Sequence, residues 1–193
     1  MLIFEDIKSL SKQIMRYAGN GYKYIQVSTI PENKIKKISK IDEKITRRYN
    51  TDLTTYQRQY KRRKNQANFI ALRYKRTIIV LKTDGETEIE DKFIDILGSV
   101  LSFDYLKIVL YKDERNKMTF RLDRDILRDI KTKIKLSIKN RHGRAFHNEL
   151  RRLHTLSKVL PYRGINLQIS AILKMIKEEQ KKHNTRWTVP TFF

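Results

Sequence analysis

Hydrophobic side chains recur at two different spacings in the first thirty residues. Five apolar positions lie three or four residues apart: Ile3, Ile7, Leu10, Ile14 and Ala18. This spacing gathers them on one helical face, so the pattern predicts an amphipathic helix over residues 3–18, ended by Gly19-Asn20-Gly21. Residues 22–30 alternate between two sides and stop at Pro31, which predicts a strand.

Two more helices with basic outer faces are predicted between residues 33 and 67. In residues 33–49 the apolar side chains share an arc of about 120° on a helix, and lysines and arginines occupy the opposite arc. After a cap at Thr51 or Asp52, the same division returns in the second helix. Its predicted buried stripe consists of Leu53, Tyr56, Tyr60 and Ala67.

The middle of the chain is typical of β structure, and the last third is typical of helices. Residues 69–74 and 77–81 predict one hairpin, and residues 105–111 and 118–122 predict a second. Beyond Asp123, a candidate helix cap, three apolar stripes at helical spacing predict three helices that reach His183.

These elements predict an α+β fold, because strands cluster in the first two thirds and helices in the last third. We expect an antiparallel sheet of about five strands covered by basic amphipathic helices, followed by an all-helical C-terminal third. Residues 1–122 would form the α+β core, and residues 123–193 a helical region packed on it. No Ser-, Pro- or Gly-rich linker separates the two, so one continuous domain is the alternative.

The charge of the chain gives these helices a functional interpretation. The formal net charge is +22, and residues 34–64 carry twelve Lys and Arg against three acids. A surface this positive repels itself when the chain is compact, and a polyanion relieves the repulsion. Because 39% of the residues are hydrophobic, the chain is predicted to fold rather than to form a disordered basic tail. The expected partner of residues 1–122 is nucleic acid.

The candidate contacts to nucleic acid lie on the two basic helices, at the tip of the first hairpin and between the late helices. They are Lys36, Lys37, Lys40, Arg47, Arg48, Arg58, Lys61, Arg62, Arg63, Lys64, Arg73, Tyr74, Lys75, Arg76, Arg141, His142, Arg144, Arg151 and Arg152. Phosphate contacts of this kind fix the register and carry little sequence information. Charge spread over several elements suits a partner that is recognised by shape and backbone, so structured RNA in a ribonucleoprotein is favoured over DNA.

Aromatic and histidine side chains near these cations have competing interpretations. Tyr74, beside the hairpin tip, is a candidate for stacking on an unpaired base. Tyr56 and Tyr60 are predicted to be core residues, because they belong to the buried stripe. His147 and His154 share a helical face with Arg151 between them, and a cation there disfavours a metal ion. No metal site is predicted.

The acidic concentration at residues 84–95 supports an alternative, a DNA-acting mobile-element or plasmid protein. Glu90-Asp91-Lys92 fits an acidic-x-Lys element, and Asp84 is the candidate upstream carboxylate. The carboxylates would hold Mg²⁺ that activates water, with Lys92 as the cation of the element, as in a metal-dependent endonuclease. A replication or recombination factor belongs to the same alternative. Such residues recur by chance in charged segments, and the ordinary interpretation is a solvated loop. The chain is therefore expected to be a binding protein rather than an enzyme, with Mg²⁺ as a cofactor only in this alternative.

The two ends of the chain and its lack of cysteine bear on its location and partners. Without cysteine, disulfides and Cys-based zinc sites are excluded, which fits the cytoplasm or another reducing intracellular compartment. Residues 1–30 lack the apolar run of a signal sequence, and no stretch approaches the roughly 20 apolar residues of a membrane span. No membrane contact is expected. The aromatic tail from Trp187 to Phe193 is a candidate contact for a protein partner.

Overall fold

The computed structural model describes residues 1–103 and 106–189, and the chain divides into two compact units, Met1–Ser99 and Val100–Phe193. The predicted strand start at Tyr105 and the tail residues 190–193 lie outside the described residues. Within the described ranges, no helix combines the length and the apolar character needed to cross a membrane. The division falls after residue 99, whereas the sequence predicts a boundary after residue 122.

The first unit is a five-stranded sheet with helices. In chain order its elements are β1 (Leu2–Phe4), α1 (Ile7–Gly19), β2 (Tyr22–Thr29), a 3₁₀ helix (Glu32–Lys37), α2 (Ile38–Tyr49), α3 (Thr55–Arg63), β3 (Phe69–Tyr74), β4 (Thr77–Thr83) and β5 (Ile94–Asp95). The first helix begins at Ile7 rather than at Ile3, because the carboxylate of Asp6 caps it by accepting a hydrogen bond of 2.7 Å from the Ser9 N–H.

The strand order in this sheet is β1-β3-β4-β2-β5. β1 runs parallel to β3, whereas the other neighbouring strands are antiparallel. The sheet is therefore mixed, and the prediction of a purely antiparallel sheet is wrong. The sequence pattern does not reveal β1, because the strand is only three residues long and because Ile3 extends the apolar spacing of α1.

The two faces of this sheet are covered by different helices. Alternate residues of a strand point to opposite faces, so Phe69 and Ala71 of β3 lie on the face that also buries Ile78 and Val80 of β4. Three isoleucines of the predicted stripe, Ile38, Ile41 and Ile45, pack against this cluster and hold α2 on this face. The other face buries Leu72, Ile79 and Leu81, and α1, which contacts β2 and β3, covers it.

The short helix α3 presents to solvent the side that was predicted to be buried. Its N-cap is Thr54, which forms a capping box with Gln57, and not Thr51 or Asp52. Tyr56 is 74% exposed and Tyr60 is 54% exposed. The prediction that these two tyrosines belong to the core is wrong, because the inward side of α3 faces main-chain carbonyl groups and is occupied by Arg58.

The second unit combines a three-stranded sheet with three helices. Its elements are β6 (Val100–Phe103), β7 (Leu106–Lys112), β8 (Met118–Leu122), α4 (Arg124–Lys139), α5 (Gly143–Val159) and α6 (Arg163–Lys182). The sheet is antiparallel in the order β6-β7-β8, with Ile108 opposite Leu122 and Leu110 opposite Phe120. Asp123 caps α4 as predicted, since its side chain accepts a hydrogen bond from the Asp125 N–H.

The helices of the second unit follow the predicted apolar stripes. Ile130, Ile134 and Ile138 of α4 are buried, as are Phe146 and Leu150 of α5. The second hairpin and β6 belong to the same unit as these helices, and α6 contacts β8. The fold class α+β is confirmed, with the described strands divided between two sheets instead of one.

Candidate nucleic-acid interface

A row of exposed cations follows the outer side of α2. Lys37, at the end of the 3₁₀ helix, and Lys40, Lys44 and Arg47 of α2 are three or four residues apart, and they point away from the isoleucines that pack on the sheet. Ten residues of helix span about 15 Å, so the row carries four positive charges over that length. We call these four residues the basic row. Lys36 is also exposed and lies just before it.

The two acids of α2 do not neutralise the basic row. Asp42 faces away from it and binds Arg73 of β3, with Nε of Arg73 at 3.0 Å from the carboxylate oxygens. The two side chains are only 12% and 14% exposed, so this ion pair is largely shielded from water. Glu43 contacts Arg47 at 3.8 Å, and both side chains are mostly exposed, a geometry that contributes little in water. The row therefore keeps a positive potential, and Arg73 is engaged within the fold.

Arg48 and Tyr49, at the end of α2, bind Asp91 of residues 84–95, which we call the acidic segment. Arg48 makes a two-point ion pair with Asp91, with Nε–Oδ2 at 3.0 Å and Nη2–Oδ1 at 2.6 Å. The hydroxyl of buried Tyr49 donates to Asp91 at 2.6 Å and contacts the side-chain amide of Gln26 at 2.8 Å. The hydrogen bond from Tyr49 and the ion pair with Arg48 lower the pKa of Asp91 below its ordinary value. The charge of Arg48 is thus largely neutralised by Asp91.

The same contacts predict a loss of stability at high pH. Burial, followed by the hydrogen bond to Asp91, raises the pKa of Tyr49 from 10 to about 12. Between pH 10 and pH 12 the unfolded chain releases this proton first, so the free energy of unfolding falls as the pH rises through that interval. Urea unfolding of the wild type should show a steeper fall there than that of Tyr49→Phe, which has no phenol proton at this position. Parallel pH profiles would contradict the assignment.

Arg58 is an internal structural residue of the first unit. Its guanidinium donates to three main-chain carbonyls: Leu53 at 3.1 Å, Phe69 at 2.9 Å and Thr51 at 2.6 Å. It also contacts the hydroxyl of Tyr22 at 3.3 Å. These bonds tie α3 to the preceding loop and to the sheet, so they use the donors that a phosphate contact would need.

The remaining cations of α3 differ in their accessibility. Arg62 donates to the carbonyl of Asn20 at 2.9 Å, and its guanidinium lies 6.0 Å from the ring centre of Tyr22. Lys61 is half-buried, whereas Arg63 and Lys64 are exposed. Neither Arg63 nor Lys64 forms an ion pair with a carboxylate of the described residues.

The two cations at the tip of the first hairpin, Lys75 and Arg76, contact other side chains of the first unit. Lys75 adopts a φ of 51°, which closes the turn, and its ammonium lies 5.2 Å from the ring centre of Tyr74. Arg76 binds Glu32 at 2.6 Å. This tip is therefore a weaker candidate for phosphate contacts than the basic row.

A cleft of about 520 Å³ lies between the end of α2, Lys61 of α3 and residues 86–89. Its charged lining residues are Arg48, Lys61, Glu86 and Glu88. Carboxylates and cations face the same space, so the cleft does not favour a polyanion. The basic row, Arg63 and Lys64 do not line this cleft.

The predicted cations of the second unit lie near the connection between α4 and α5 and along α5. Arg141, His142 and Arg144 are exposed. Arg151 is also exposed, whereas Arg152 binds Asp129 at 3.6 Å and Glu149 at 3.5 Å. Three exposed lysines of α6 that lie three or four residues apart are not among the predicted contacts: Lys174, Lys177 and Lys181. Their spacing along α6, away from the buried isoleucines of that helix, is the sequence pattern that indicates a basic helical face.

The three residues of the endonuclease alternative have separate surroundings. Asp84 forms an ion pair of 2.5 Å with Lys23, which lowers the pKa of Asp84. Glu90 and Lys92 are exposed in the loop before β5. In the described part of the chain, no three His, Cys, Asp or Glu side chains gather in a way that would hold a metal ion.

The described part of the aromatic tail folds back on the second unit. The ring of Trp187 lies 5.1 Å from that of Phe146, and Gln180 donates to the carbonyl of Trp187 at 2.9 Å. Trp187 therefore contributes to packing within its own unit. A contact between the tail and a protein partner stays a prediction.

Five of the candidate cations are engaged within the fold of their own unit, and others are exposed. Arg48, Arg58, Arg73, Arg76 and Arg152 are engaged within their units, whereas the basic row, Lys36, Arg63 and Lys64 remain accessible in the first unit.

Comparison of the chain with protein-family models, with curated proteins and with solved structures finds no match.

Proposed function

We propose that the protein binds nucleic acid through phosphate contacts made by the exposed cations of its first unit. The observation that carries the proposal is the basic row, in which Lys37, Lys40, Lys44 and Arg47 project from one side of a helix held firmly on the sheet. Like charges this close repel one another. A phosphate backbone relieves that repulsion, and releases its counterions when it binds.

The dimensions of the basic row suit a nucleic-acid strand. A strand of a duplex carries one phosphate charge per 3.4 Å of axis, so about four phosphates match the length of the row. Arg63 and Lys64 extend the accessible charge to α3. Contacts of this kind position the nucleic acid without reading its bases.

RNA is the proposed polymer, in a ribonucleoprotein. The accessible cations of the first unit belong to the sides of two separate helices and to the 3₁₀ helix before them. Folded RNA is recognised by its shape and backbone, which a distributed positive surface matches. Three of the candidate arginines, Arg58, Arg73 and Arg76, support the fold in this proposal and do not contact RNA.

The salt dependence of binding tests this placement. Replacing Lys37, Lys40 and Lys44 together by glutamine should weaken binding to a labelled RNA hairpin. It should also reduce the slope of log affinity against log salt by about 2 to 3, since each lost phosphate contact accounts for about 0.7 to 0.9. Fluorescence anisotropy across a salt series measures both quantities.

The matched control removes the same charge from the other face of the sheet. Lys8, Lys12 and Arg16 are exposed on α1, which covers that face. Their replacement by glutamine should leave the slope within experimental error of the wild-type value. Equal effects of the two triple variants would show a diffuse charge effect and would overturn the basic row as the site.

A further inference from the structure

We propose that Tyr56 and Tyr60 form a platform on which unpaired bases of the bound nucleic acid stack. This inference rests on the proposed function. It adds the kind of nucleic-acid structure that the protein prefers to bind, which is a single strand or an unpaired RNA loop. The inference is drawn from two exposed aromatic rings that lie beside accessible cations at α3.

The two tyrosines are neighbours on the surface of one helix. They are four residues apart in α3, a spacing that places Cβ atoms about 5 to 6 Å from each other. Tyr56 is 74% exposed and Tyr60 is 54% exposed. Neither ring takes part in a hydrogen bond or an aromatic contact among the described residues, so the exposed part of each ring can receive a planar ligand.

The fold holds this platform in place. The capping box of Thr54 and Gln57 fixes the start of α3, and Arg58 bonds its inward side to the carbonyls of Thr51 and Phe69. A helix fixed at these points presents its outer side in a defined orientation. Ligand binding then costs little ordering of the protein, which favours affinity.

The charge around the tyrosines selects an anionic ligand. Arg63 is exposed and follows Tyr60 by three residues and Tyr56 by seven, so it lies on the same side of the helix. No aspartate or glutamate occurs between residues 53 and 83. Nucleotides carry a flat aromatic face and a phosphate, and this pairing of aromatic rings and cations is typical of single-strand sites.

An apolar protein partner fits this surface less well. α3 contains no Leu, Ile, Val or Met, and its sequence from Thr55 to Arg63 is TYQRQYKRR. A helix that docks into a hydrophobic groove uses aliphatic or aromatic anchors on a largely uncharged stripe. Paired bases are also excluded as stacking ligands, because their faces are covered within the duplex. Unpaired bases remain as the partner.

The test uses two probes and two double variants. The probes are an oligouridine of about 12 nucleotides and an RNA duplex of the same length, both fluorescently labelled. Tyr56→Ala with Tyr60→Ala removes both rings, whereas Tyr56→Phe with Tyr60→Phe keeps them and removes the hydroxyls. Because the side chains are exposed, both variants should fold, which circular dichroism checks.

The proposal predicts a selective loss. The alanine pair should bind the oligouridine about tenfold or more weaker, while duplex affinity stays within about twofold and the phenylalanine pair binds both probes like the wild type. Unchanged oligouridine affinity in the alanine pair, or an equal loss on both probes, would overturn the stacking platform. If binding still responds to the basic row in that case, the proposed function stands without it. If the wild type binds neither probe, both proposals fail.

Discussion

Replacing Gly85 by alanine is expected to destabilise the first unit by about 3 kcal/mol or more. An added Cβ would lie 2.6 Å from the carbonyl carbon of Gln66, 2.7 Å from the nitrogen of Ala67 and 2.8 Å from the oxygen of Asn65. These are main-chain atoms, which cannot rotate away. The φ of 119° at Gly85 is a further cost for a residue with a side chain. This close approach lets Glu86 exchange main-chain hydrogen bonds with Asn65 and Ala67.

Gly98→Ala provides the matched control in the same unit. Gly98 has a φ of 83°, but an added Cβ would meet no atom within 4 Å. Its replacement isolates the conformational cost, about 1 kcal/mol. Urea unfolding followed by circular dichroism measures both changes. Equal losses at the two positions would mean that the start of the acidic segment does not pack against residues 65–67 as described.

Replacing Arg58 by alanine is also expected to cost about 3 kcal/mol of unfolding free energy. The change deletes charged donors that satisfy the carbonyls of Thr51, Leu53 and Phe69. Hydrogen bonds to charged groups contribute about 1.5 to 3 kcal/mol, and the carbonyls left without donors add to the loss. Arg58→Lys should recover only part of it, because one ammonium cannot reproduce the planar fork of donors.

Arg63→Ala is the control for Arg58, because it removes the same charge from the exposed side of the same helix. Its unfolding free energy should stay within about 0.5 kcal/mol of the wild type, whereas its affinity for RNA should fall. If instead Arg58→Ala left stability unchanged and weakened RNA binding as Arg63→Ala does, Arg58 would belong to the interface.

Local periodicity was sufficient to predict most of the elements. The isoleucine stripe of α2, the hairpin of β3 and β4, and the apolar stripes of α4 to α6 all follow from spacings of two or of three to four residues. β1 was missed because three residues carry too little pattern. The division of the strands between two sheets was missed because pairing partners are not encoded in local spacing.

The error in α3 has a physical reason. Leu53, Tyr56 and Tyr60 imitate a buried stripe, so the tyrosines were assigned to the core. The inward side of this helix instead faces main-chain carbonyls, which need a hydrogen-bond donor. The spacing of the tyrosines gives no sign of that requirement. Arg58 supplies it. An arginine that supports the fold and one that faces solvent look the same in a charge count.

The pairing of the arginines also lay beyond the sequence. Arg48 and Asp91 are 43 residues apart, and Arg73 and Asp42 are 31 apart, so their ion pairs depend on the folded sheet. Total charge was nevertheless informative. With 43 Lys and Arg against 21 Asp and Glu, one-to-one pairing with every acid would still leave 22 cations. The structure identifies the basic row as one place where such cations are exposed together.

Amide chemical-shift mapping tests the central claim most directly. The ¹⁵N-labelled chain is titrated with an RNA hairpin that has an unpaired loop, at a salt concentration where binding is reversible. We expect the amides of the basic row and of residues 55–64 to shift, and those of α1 on the opposite face of the sheet to stay in place. Shifts centred on α1, or none in the basic row while RNA is bound, would contradict the proposal that the accessible cations of α2 and α3 hold the nucleic acid.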